Sequence, residues 1–104
     1  MPANPPTQIT IGGRIIAIRI DPKLEAWGEY RGDDAEIVLA ARTLAKQSSL
    51  RETLRHEMLH AALDICGLTY IEGFDRYEEC FVRALENVFF PAWQKVHQQL
   101  TILE

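Results

Sequence analysis

From Leu50 onward, apolar residues recur at Leu50, Leu54, Met58, Ala61, Ala62 and Ile65, with Leu59 and Leu63 widening the stripe. That is the period of a helix buried on more than one side. Ser49 with Glu52 three residues on has the form of a capping box and predicts where the helix starts. Cys66-Gly67 predicts its end, with Gly67 in the left-handed conformation just past the last turn. Inside this helix sits Arg55-His56-Glu57-Met58-Leu59-His60, an H-E-x-x-H spacing. Residues four apart stand one above the other on a helix face, so His56 and His60 can present two imidazoles to one metal ion. Glu57 lies about 100° round the helix from His56 and can reach a water held at that metal.

The residues before this helix read as strands. Thr7 to Ile11 alternates and is β-branched, Gly12-Gly13 is a hairpin turn signal, and Arg14 to Ile20 is a second strand ended by Asp21-Pro22. Trp27 to Arg31 reads as a third strand, Gly32-Asp33-Asp34 as a turn, and Ala35 to Ala40 as the most apolar strand. Three or four strands make a small, mostly antiparallel sheet, which needs a helix against one face to be stable. Pro2, Pro5 and Pro6 predict a disordered tail over residues 1–6, with a single domain over 7–104.

After Gly67 comes a loop with Leu68, Tyr70, Ile71 and Phe74, large side chains that predict packing. Asp75 to Glu78 has a second capping-box pattern, and Phe81, Val82, Leu85, Val88 and Phe89 follow at helical spacing. Pro91 interrupts this helix or begins a new one, and Trp93, Val96 and Leu100 make the last segment amphipathic. The fold class is therefore α+β: a small sheet on the H-E-x-x-H helix, then a second helix and a C-terminal helical segment.

The donor types point to zinc, which binds imidazole nitrogen and carboxylate oxygen. A catalytic site supplies three protein ligands and keeps one position open. His56 and His60 are two, and the next helix is the natural source of a third. Helical phase favours Glu78, which extends the stripe of Phe81, Val82 and Leu85; Glu79, about 100° further round, is the second choice. Glu78 also has a structural reading as the capping partner of the Asp75 amide. Glu57 has the role of general base, against a structural reading as a surface ion-pair partner. Asp64, four residues past His60, either orients His60 through its far nitrogen or is a solvated aspartate near the helix end. His97 fits no ligand spacing. Tyr30, Tyr70 and Tyr77 are unranked as donors to a developing oxyanion.

Charge and composition narrow the classes further. A net charge of −4 with scattered Arg and Lys gives no footprint for nucleic acid or for an anionic membrane surface. No apolar run approaches the ~18 residues of a membrane span, and the N-terminus lacks the pattern of a secretory leader. The expectation is a cytoplasmic protein in which Cys66 and Cys80 are reduced and buried.

Trp27-Gly28-Glu29-Tyr30, then Leu54 to Ala61, then Glu78-Glu79-Cys80-Phe81-Val82-Arg83-Ala84-Leu85 resemble, in this order, the small metallopeptidases encoded in phages and prophages. These are similar to the ImmA/IrrE family and to the minigluzincins, and the resemblance covers roughly residues 27 to 90. Arg55 departs from it, since zincin helices usually carry an uncharged residue there. The resemblance implies a minimal zincin-like fold and a zinc-dependent peptidase in a cytoplasm, the host's if phage-encoded. It implies that His56, His60 and Glu78 hold Zn2+, that Glu57 is the base, and that a peptide or protein substrate pairs as an extended strand with Ala35 to Ala40 at a sheet edge. The alternatives are a zinc-binding module without catalysis and a structural protein without metal.

Overall fold

The computed structural model describes residues 3–103. They fall into two compact units, one running to Ile71 and one from Glu72.

The first unit holds the sheet and the motif helix. β1 (Gln8–Ile11) and β2 (Arg14–Asp21) form the expected hairpin. Gly12 and Gly13 turn it with φ of 56° and 78°, the left-handed geometry that matches strand twist. β3 (Gly28–Arg31) and β4 (Glu36–Ala40) form a second antiparallel pair. The strand order is β1-β2-β4-β3, and the central β2–β4 pairing is parallel, so the sheet is mixed. The most apolar strand is therefore interior. Ile37, Val38, Leu39 and Ala40 are all buried, and a strand apolar on both faces gains most between two neighbours. This corrects the expected edge position of residues 35–40: the edges are β1 and β3.

α1 (Gln47–Ile65) packs on one sheet face. Its Leu50 joins Ile16, Ile37, Leu39 and Ala3 in the core, and Leu54, Met58 and Ile65 pack against that cluster. Burying a side chain of this size contributes about 1.5–3 kcal/mol. The other face carries a charged lattice, with Arg19 at 3.3 Å and Arg31 at 3.5 Å from Glu36, and Arg31 also on Glu29 at 3.1 Å. Arg19 and then Arg31 hold the Glu36 carboxyl below its ordinary range.

α1 begins two residues before Ser49, and the Ser49–Glu52 capping box is not used. A tight turn over Ala41–Ala45, closed by the Thr43 hydroxyl donating to the Ala40 carbonyl, delivers the chain directly into the helix. The Leu50 N–H then donates to the Lys46 carbonyl. The helix ends as expected: Gly67 has φ of 90°, and its N–H donates to the Asp64 carbonyl.

Three further expectations change. Residues 1 and 2 of the proposed tail lie outside the described residues, but Ala3 is buried and its N–H donates to the Leu44 carbonyl at 2.8 Å. Tyr70 and Ile71 are 77% and 56% exposed, so this part of the loop is not packed down. Cys66 and Cys80 are free thiols as expected, but both are exposed.

In the second unit, α2 (Glu78–Ala84) starts later than the Asp75 pattern predicts. Tyr77 N–H donates to the Phe74 carbonyl and closes a separate tight turn first, and the first α-type bond runs from Phe81 N–H to Tyr77. A wide π-helical turn over Leu85–Phe89 links α2 to α3 (Phe90–Leu103). Pro91 explains it: its ring lacks the N–H for Asn87 and crowds that carbonyl, and widening the turn relieves the clash without breaking the rod.

Candidate metal centre

His56 and His60 sit in the middle of α1, away from fraying ends, and both are partly buried. Their Nε2 atoms lie 3.3 Å apart, with the rings edge-on at 4.9 Å between centroids. Two donors at about 2.0–2.1 Å from one zinc, at a tetrahedral angle, lie about 3.3–3.4 Å apart. The spacing therefore suits a shared metal. Without a metal, the same contact puts one Nε2–H against the bare nitrogen of the other ring.

Glu57 is turned inward and is only 7% exposed. Edge strand β3 crosses directly over it. A Cβ added at Gly28 would sit 3.0 Å from Glu57 Cγ and 2.8 Å from Thr53 Cγ2. Only a glycine lets the strand come this close to the helix. Beside this contact, Trp27, Ser49, Glu52 and Thr53 line a groove of about 220 Å3. The Arg42 guanidinium lies 4.6 Å above the Trp27 ring and donates to the carbonyls of Leu24 and Glu25, which holds the half-exposed ring in place.

Asp64 accepts a 2.5 Å hydrogen bond from the Tyr30 hydroxyl and interacts with the Tyr70 hydroxyl as well. The Tyr30 bond is the main cause holding the Asp64 carboxyl below its ordinary range. Burial, and then this bond, push the Tyr30 hydroxyl up to about 12. Asp64, read from the sequence as either orienting His60 or lying solvated near the helix end, thus ties β3 to α1. Gly32 completes the contact, since a Cβ there would meet Asp64 Oδ2 at 2.9 Å.

Glu78 and Glu79 both lie in the first turn of α2, in the second unit. Glu78 is partly buried and Glu79 exposed, and Glu79 sits 3.8 Å from Arg83 one turn on. His56 and His60 of the first unit offer two imidazole donors, and Glu78 and Glu79 of the second offer carboxylates. Two imidazoles and one carboxylate are the donor set of an open catalytic zinc site.

No family model, curated protein or solved structure matches the chain. Among the described residues, no helix is long and apolar enough to cross a membrane.

The sequence reading missed two parts of this centre: the groove beside Trp27 and the role of Tyr30. A signal for the second is in the chain. Gly28 and Gly32 flank Tyr30 two residues away on either side, and a glycine in a strand often marks a close approach of another backbone or helix.

Proposed function

We propose that the protein is a zinc-dependent peptidase of the gluzincin type, with His56, His60 and a glutamate of α2 as ligands and Glu57 as general base. Helical phase in the sequence favours Glu78, with Glu79 its neighbour in the same turn as the second choice. The observation that carries the proposal is the 3.3 Å Nε2–Nε2 spacing of His56 and His60, with buried Glu57 between them in sequence.

When bound, zinc would supply Lewis acidity, polarising a peptide carbonyl and easing deprotonation of water. Glu57 accepts the proton from the attacking water and delivers it to the departing amine. Its burial limits competing water. The outer edge of β3 offers backbone N–H and C=O groups to an extended peptide, which would add as a strand alongside Gly28 and pass close to Glu57. The groove at Trp27 and Glu52 then lies where a substrate side chain can enter. A zincin-like arrangement and a phage-type origin belong to the same proposal, supported by the motif order in the sequence.

The test is Glu57→Gln alongside wild type, scored for zinc content and for cleavage of a broad peptide library. The expected result is equal zinc in both and cleavage by wild type alone. Zinc in both with cleavage by neither contradicts the peptidase and supports a zinc-binding module.

A further inference from the structure

The second unit carries an apolar seam that the peptidase proposal does not use. Phe89, Trp93, Val96 and Leu100 are 53%, 47%, 44% and 49% exposed. Their spacing of four, three and four residues is the alternation of a two-helix seam, in which each step keeps the side chains facing one partner helix. A helix that only coats a core does not leave the middle of such a stripe in water.

We infer that α3 pairs with α3 of a second copy of this chain, antiparallel about a two-fold axis. Three observations support this occupant. First, an antiparallel pair centred between Trp93 and Val96 sets Trp93 against Val96 and Phe89 against Leu100, large against small at every layer. A parallel pair would set Trp93 against Trp93. Second, the flanks allow self-association. Between Phe90 and Thr101 the only Lys, Arg, Asp or Glu is Lys95, which lies off the seam, so no like charges meet across the axis. That polar face, rich in Gln94, Gln98 and Gln99, also lacks the basic residues of a helix that lies on anionic lipid. Third, the area fits a weak, reversible dimer that dissociates on dilution. At about half exposure, two aromatic and two aliphatic side chains present on the order of 400 Å2 per copy. Two copies therefore bury on the order of 800 Å2 through these four side chains alone, the scale of a weak, transient interface below the roughly 1,200–2,000 Å2 of a stable one. The antiparallel arrangement also opposes the two helix dipoles.

The experiment is sedimentation equilibrium on the full chain over a range of concentrations. The expected result is a mass twice the 11.9 kDa of one chain at high concentration, falling toward one chain on dilution. Trp93→Glu with Leu100→Glu should shift the protein to monomer, with circular dichroism unchanged because both sites are solvent-exposed in a single chain. Val88→Glu, more exposed at 71% but off the seam, should stay dimeric. A wild type that remains monomeric at ~100 µM, well above the micromolar range of weak dimers, overturns the inference. So does a dimer that survives the paired substitution, or a monomer that instead binds anionic vesicles. None of these outcomes depends on zinc or on cleavage.

Discussion

The Tyr30 hydroxyl donates a 2.5 Å hydrogen bond to Oδ2 of Asp64, and so pins the edge strand to the motif helix across 34 residues of chain. Gly28 meets Glu57 on the same strand, two residues earlier. The strand is thus held at both ends along one face of α1, and the proposed base lies beneath it.

Tyr30→Phe should cost about 1 kcal/mol, below the ~1.5–3 kcal/mol of a buried bond to a charged group, because this pair is only partly buried. The pH dependence checks the cause. The folded Asp64 carboxyl is lowered, so its contribution is present above its unfolded pKa of about 3.9 and fades as pH falls through the lower folded value. The Tyr30 hydroxyl is raised, so its contribution is full below about 10 and fades as pH rises toward about 12. Urea melts of both proteins should converge at either extreme.

Gly28→Ala should destabilise by about 1–3 kcal/mol, the range for forcing atoms into a filled site. The new methyl group meets Thr53 Cγ2 at 2.8 Å and Glu57 Cγ at 3.0 Å. Thr53→Ser removes the nearer of these atoms. A double-mutant cycle should therefore show the pair less damaging than the sum of its parts, by a coupling of about 0.5 kcal/mol or more.

Much of this strand–helix unit was legible in the sequence because periodicity reports burial directly. The stripe from Leu50 to Ile65, the Gly12-Gly13 turn and the Gly67 cap all hold. Strand order was not legible: β4 sits between β2 and β3 because it is apolar on both faces, and that placement depends on partners far along the chain. The capping boxes at Ser49 and Asp75 failed for a local reason, since tight backbone turns before each helix set the start instead. For Asp64, spacing along one helix could offer only His60 as its partner. Tyr30 comes from a different element, and only the folded chain brings it near.

Both thiols should react under native conditions. Cys66 and Cys80 are exposed and unpaired with each other, so a disulfide-exchange reagent should titrate two thiols per chain without denaturant. Two buried thiols would react only on unfolding.

The central claim is that His56 and His60 share one metal ion with a glutamate of α2. Equilibrium dialysis against zinc, followed by elemental analysis, tests it most directly. The account predicts one zinc per chain for wild type and for Glu57→Gln, loss of zinc in His56→Ala, and weakened zinc binding in Glu78→Ala or Glu79→Ala. A folded wild type that holds no zinc would contradict it.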